Sequence, residues 1–357
     1  MSWFLAFAGF AALIVLHELG HFAAAKAVGM RVERFSLFFP PLLVRKRVGE
    51  TEYAIGALPL GGYVKITGMN PDERLPEEVR DRAYHAQPVW KRVVVISAGP
   101  AMNLLLAFVL LLGFFWFIGP RQLSTDVGEV APRLPAAGVL EPGDRLVAVD
   151  GREGDPATFQ RQISRHECAG PERDGCRAAT PATLTIERDG RQMDVRIRPV
   201  YDAEVGRMRV GFTYDAPRRP LAFGPAAGEA VSQFWFIAKE TAKLPARLLD
   251  SEKREEITGV VGSYETTRQT ILNDAEAVVG ILAIISLSLA IVNLFPFLPL
   301  DGGHIFWAIV EKVRRRPVPL AVMERAGIVG FMLVIGLFLI GLTNDIERLS
   351  GEGFNVR

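Results

Sequence analysis

The stretch LIVLHELGHFAAAK, Leu13 to Lys26, places two histidines and a glutamate inside an apolar run that starts at residue 2. On an α-helix His17 and His21 stand four residues apart, share one face and can hold a single metal ion between their imidazoles. Glu18, the next residue along, is placed to act on a metal-bound water. The bland alternative is a polar pair satisfied by its neighbours in a helix bundle. In a membrane that alternative is costly, because ionisable groups at depth are rare and usually serve function.

The rest of the chain supplies the membrane. It has 357 residues, 49% of them hydrophobic, and a formal net charge of +1. A nearly neutral chain lacks the basic excess that phosphate binding needs, which argues against a nucleic-acid binder. Four apolar runs, approximately 2–25, 93–118, 277–300 and 326–342, are long enough to cross a hydrocarbon core of roughly 30 Å. The second, VVVISAGPAMNLLLAFVLLLGFFWFI, carries no charge at all.

Short loops rich in arginine and lysine stay in the cytoplasm. Lys26, Arg31, Arg34, Arg45, Lys46 and Arg47 follow the first run, and Lys312, Arg314, Arg315 and Arg316 lie between the third and fourth. Both loops therefore read as cytoplasmic. The N-terminus, the region from about 120 to 275 and the C-terminal tail fall outside, where Cys168 and Cys176 can form a disulfide. A metal site made of His166 and the two cysteines lacks a fourth ligand at suitable spacing.

The outer region alternates short apolar strands with Pro and Gly. Leu184, Ile186, Val195 and Ile197 flank an Asp189-Gly190 turn, a hairpin signal, and DPATFQRQISR reads as a short helix capped by Asp155 with Pro156 in its first turn. Strands plus one helix make a small α/β module. AAGVLEPGDRLVAVDG resembles the PDZ domain, which implies binding of peptide segments by strand addition. The inner segment 31–68 is rich in strand formers and predicts a β-hairpin turning at Val48-Gly49-Glu50. Its edge, near a catalytic centre, is a candidate to hold a substrate strand, with Gly61 and Gly62 permitting close backbone approach beside Tyr63 and Val64. Residues 225–250 show loose helical spacing and read either as an interfacial helix on the outer side or as a helix packed on the outer domain.

Two histidines leave a catalytic zinc site short of a ligand, since three protein ligands plus an open position are usual. The third run ends in NLFPFLPLDGGHIFWAI, which supplies Asp301 where Pro296 and Pro299 break the helix. His17 and Asp301 both fall in the inner half of the membrane. His304 is the second candidate, with an inner-interface polar residue as its plain reading. Asn103 and Asn293 lie inside apolar runs and must face protein, either to contact substrate or a group behind the ligands, or to bond between helices.

HELGH, LPLGGYVK, PVWKRVVVISAGPAMN, a PDZ-like module and NLFPFLPLDGGH occur in an order that resembles the site-2 protease family of intramembrane metalloproteases, in its bacterial RseP-like branch. The resemblance spans nearly the whole chain and rests on HELGH together with LDGG. It implies a polytopic α-helical membrane protein of about four transmembrane helices, with a membrane-associated β-hairpin and an inserted PDZ-like α/β domain. It implies zinc on His17, His21 and Asp301, with Glu18 as the catalytic base. It further implies cleavage of transmembrane protein substrates such as anti-sigma factors, in the bacterial inner membrane, with termini and PDZ-like domain extracytoplasmic. The expected divisions are 1–120, a first membrane core with the HELGH helix and hairpin; 121–215, the PDZ-like domain; 216–275, an interfacial linker; and 276–357, a second membrane core with LDGG.

The chain departs from the family pattern in holding one PDZ-like module where some members have two, in Val260 where the family often has proline, and in Pro299 directly before Leu300. Two rival readings remain: a catalytically inert scaffold that gathers partners through the PDZ-like module, and a metal or solute transporter. The second lacks the paired halves that transporters show.

Overall fold

The computed structural model describes residues 2–351 apart from 71–72, 249, 251–253 and 255–256. The chain divides into two compact units: Met1–Phe117 together with Ala222–Arg357, and Ile118–Leu221. The second unit encloses the expected 121–215, and the residues expected as a linker after Leu221 belong with the helical unit.

In the helical unit, α1 (Ser2–Ala27) ends at Gly29, whose left-handed φ of 84° lets the chain turn away into the strands β1 (Val32–Val48) and β2 (Thr51–Ile66). Next comes α2 (Val89–Gly113), extended by a wider turn through Ile118. Among the described residues four helices are long and apolar enough to cross a membrane: Ser2–Ala27, Val89–Ile118, Ala275–Asn293 and Ala321–Ser350. The protein is therefore a multi-pass helical membrane protein. Two spans differ from expectation. The third stops at Asn293 rather than near 300, because Pro296 and Pro299 remove backbone donors and the segment after it turns instead. The fourth belongs to a helix of 31 residues, whose flanking polar turns continue the helix beyond the apolar run.

β1 and β2 are antiparallel partners, but both bend, and β1 is used twice. Residues 42–48 pair with 51–56 across the turn at Gly49, as expected for a hairpin. Arg34, Phe35, Ser36 and Leu37 then pair with Glu52, Tyr53, Ala54 and Ile55 on one side and with Lys65, Val64, Tyr63 and Gly62 on the other. The simple hairpin thus becomes a sheet of four segments in the order 42–48, 51–56, 32–37, 62–66. Its two edges are 42–48 and 62–66. Lys26 and Arg82 both bond Glu50, tying the turn to the end of α1, and they hold the Glu50 carboxyl at a pKa of about 2.

The other unit is an α/β module. Strands β3 (Val127–Val130), β4 (Arg145–Val149) and β5 (Arg152–Glu153) precede α3 (Pro156–Ser164). Strands β6 (Ala182–Arg188), β7 (Arg191–Ile197), β8 (Val200–Asp202), β9 (Arg207–Arg209) and β10 (Phe212–Tyr214) follow. The largest sheet runs β5-β4-β6-β7. Its inward side chains, Leu146, Val149, Leu184, Ile186 and Ile197, close over Phe159 and Ile163 of α3. As expected, the Asp155 side chain caps α3 at Thr158, and the β6–β7 turn takes positive φ at Asp189 and Gly190. Cys168 and Cys176 form a disulfide.

After the module come α4 (Phe223–Ala242), α5 (Val260–Asn273), α6 (Val278–Asn293), α7 (Asp301–Arg314) and α8 (Leu320–Ser350). Ile237 of α4 packs with Ala107 of α2 and Leu287 of α6, so this amphipathic helix lies against the membrane helices.

Candidate metal centre

The segment between α6 and α7 is a set of tight turns. Phe297 and Leu300 donate back to the carbonyls of Phe295 and Phe297, at 2.8 and 2.9 Å. Gly302 and Gly303 sit so close to the backbone of Leu294, Phe295, Phe297 and Leu298 that any Cβ would collide with it. Only glycine lets the first turn of α7 press onto the break. Asp301, the first residue of α7, is delivered there to α1.

Asp301 meets both histidines. Its Oδ2 lies 3.1 Å from His17 Nε2 and 3.3 Å from His21 Nε2, and the two Nε2 atoms are 3.2 Å apart. Both histidines are 7% exposed. Two imidazole nitrogens and one carboxylate oxygen are a zinc donor set, and tetrahedral ligands at zinc distances stand about 3.3 Å from one another. The three residues fit that metal. Among the described residues they form the one group of histidine, cysteine or acidic side chains with metal-binding spacing. His304, the other ligand candidate, lies on the next turn of α7 and outside that group.

The face of α2 orders the site from behind. His21 Nδ1 contacts the Val95 carbonyl at 2.9 Å, which fixes the tautomer and leaves Nε2 free to bind metal. A Cβ on Gly99 would overlap the His21 ring, and one on Gly20 would strike the Ala98 carbonyl, so two glycines set the approach of α1 to α2. Neither the Val95 carbonyl nor Gly99 stood out as a site residue in the sequence. The small AGP step at 98–100 was the signal available for Gly99; a backbone carbonyl leaves none.

Glu18 points to the sheet. A Cβ on Gly62 would lie 2.9 Å from Glu18 Cγ and 3.0 Å from the Ser36 carbonyl. The edge segment 62–66 therefore runs beside Glu18, with Gly61 at a φ of 154° just before it. Tyr63 is pinned by Arg34, which donates to its hydroxyl at 3.1 Å, and stacks on Phe39. A groove of about 550 Å³ follows the same edge, lined by Tyr63, Val64 and Lys65 and walled by Met69 and Glu73. Asn293 is the half-buried last residue of α6. Asn103 is fully buried on α2.

The model of the family described as peptidase family M50 matches residues 5–337. A protein of Nostoc sp. that carries a zinc metalloprotease name is 30% identical over 364 residues, covering 99% of this chain and 98% of the relative. Another such protein, from Brucella suis, is 31% identical, covering 94% and 92%. Metalloprotease MmpA of Caulobacter vibrioides is 30% identical, covering 94% and 93%. Among solved structures, the PDZ domain of an SdrC-like protein from Listeria innocua aligns with 26% of this chain and 92% of its own length, at 18% identity and a TM-score of 0.21.

Proposed function

The chain belongs to peptidase family M50, a family of zinc-dependent membrane metalloproteases, and from that premise we propose that it cuts peptide bonds within or near transmembrane segments of other proteins. The observation that carries this reading is the convergence of His17 Nε2, His21 Nε2 and Asp301 Oδ2 beside Glu18 and an open strand edge. In it His17, His21 and Asp301 hold zinc. Bound there, zinc supplies a Lewis acid for the scissile carbonyl and lowers the pKa of an attacking water.

Glu18 does the proton work. Its carboxylate takes a proton from the attacking water and returns it to the leaving amine nitrogen as the C–N bond breaks. The close-set Gly62 lets the strand edge lie against the Glu18 side chain. A substrate helix keeps its carbonyls bonded internally, so it must unwind before attack. Pairing with the edge at Gly61, Gly62, Tyr63 and Val64 replaces those lost backbone bonds. Asn293, at the inner end of α6, is the further contact to substrate proposed here.

The family resemblance puts the enzyme in a bacterial inner membrane, and the loop charges put both termini and the PDZ-like module outside. Its substrates are membrane proteins such as anti-sigma factors, with the PDZ-like module taking an extended peptide segment.

The test is cleavage of a tagged model transmembrane substrate by the purified protein in detergent, with zinc assayed alongside. Glu18→Gln is expected to abolish product while zinc stays near one per chain. Equal product from native and variant chains would remove Glu18 from the reaction, and a zinc-free active protein would overturn the metal assignment.

A further inference from the structure

Each zinc-binding imidazole needs an acceptor for the proton on its other nitrogen. His21 has one in the Val95 carbonyl. His17 has none within hydrogen-bonding distance: its Nδ1 is buried and without a partner among the described residues. On the facing helix stands the complementary anomaly. Asn103 is 0% exposed, and neither its Oδ1 nor its Nδ2 has a partner. An unpaired amide in a membrane core is costly, so two such groups on packed helices need a shared explanation.

The register of the two helices brings them to one level. Gly20 abuts Ala98 and Gly99, His21 contacts Val95, and Val28 accepts from Lys91, so α1 and α2 run antiparallel. His17 lies one turn back from His21 on α1, and Asn103 one turn on from Gly99 on α2; both steps lead the same way. Direction agrees as well. The α2 residues touching α1 are 95, 98 and 99, whereas 104 and 107 pack toward α4 and α6. At about 100° per residue, Asn103 points between those two directions, into the crevice between α1 and α6. Ser286 of α6 donates to the Asn103 carbonyl at 2.9 Å and holds the backbone there.

We infer that Asn103 is the positioning residue for His17, its amide oxygen accepting from Nδ1–H directly or through one water so that Nε2 faces the metal. This rests on the metal reading of His17, His21 and Asp301. It departs from a substrate contact for Asn103, because a side chain with no exposed surface is set behind the ligand.

The test measures zinc affinity by chelator competition on the full chain in detergent, together with the thermal midpoint of the metal-free protein. Asn103→Leu keeps the branched shape and the number of heavy atoms and removes the amide. Its expected effect is a roughly 10- to 100-fold loss of zinc affinity with the metal-free midpoint unchanged or raised. Asn103→Asp keeps the acceptor and is expected to bind zinc as tightly as the native chain; it also decides the matter if the leucine variant does not fold. His17→Ala is the control. Unchanged zinc affinity in Asn103→Leu, with zinc lost in His17→Ala, would overturn the inference alone. Zinc retained in His17→Ala would overturn the metal reading and the inference with it. A weaker KM for substrate at unaltered zinc affinity would return Asn103 to substrate binding and overturn the positioning role.

Discussion

Gly99 of α2 lies flush against the imidazole of His21, leaving no room for a methyl group between the helix and the ring. The ring cannot retreat freely, because Nδ1 is held by Val95 and Nε2 belongs to the metal cluster. Gly99→Ala is therefore expected to displace Nε2 and lower peptidase activity on the order of 10²-fold, as ligand misplacement near 1 Å does. Zinc content measured beside activity checks the cause: both should fall, whereas activity lost at full zinc would point to another mechanism.

Gly62 makes a similar demand on the other side of α1. An added Cβ would press on Glu18 Cγ and the Ser36 carbonyl and would also stand in the path of a strand pairing with the 62–66 edge. Gly62→Val should cut kcat/KM for a transmembrane substrate by roughly 10- to 100-fold while zinc stays bound, since no ligand is touched. Steady-state kinetics with a metal assay separates this from the Gly99 outcome.

The two glycines show how far the sequence could be read. HELGH and LDGG were legible because ligand spacing on a helix and an acid after a broken helix are local features of side-chain chemistry. The hairpin was legible as strands and a turn, but the second use of residues 32–37 was not, because it depends on where β1 bends at Phe38 and the two prolines after it. The docking of α4 on α2 and α6 was equally hidden: an amphipathic helix reports that it has a buried face, not which neighbour covers it.

In the α/β module, Asp144 is buried and accepts two bonds from Arg188, and these hold its carboxyl below the usual carboxylate range. A depressed folded-state pKa contributes stability that is present above the unfolded value, about 3.9, and is lost as pH falls through the folded one. Unfolding of the full chain in detergent, followed by a probe on the module, should show stability falling through this acid window. Asp144→Asn should flatten that dependence and lower stability at neutral pH. A variant with the native slope would remove Asp144 as its source.

Arg92 and Glu311, 219 residues apart in sequence, form a two-pronged ion pair at 2.9 and 2.7 Å between α2 and α7. The Arg92 guanidinium also lies over the buried Tyr84 ring, and its side chain is 10% exposed. Arg92 shares the α2 face that meets His21, and Glu311 belongs to the helix that begins with Asp301, so the pair ties the helix that backs His21 to the helix that carries Asp301. Glu311→Ala leaves the buried Arg92 guanidinium without compensation and is expected to destabilise by about 3–5 kcal/mol, whereas Arg92→Ala leaves a carboxylate that is 29% exposed and is expected to cost less. The double variant should cost less than the two singles added together, because neither charge is then left alone. Equilibrium unfolding in mixed micelles measures all three. Strict additivity would mean that the pair is not coupled and that α7 is held on α2 by apolar packing, such as Ile305 on the cluster of Val95 and Ile96, instead.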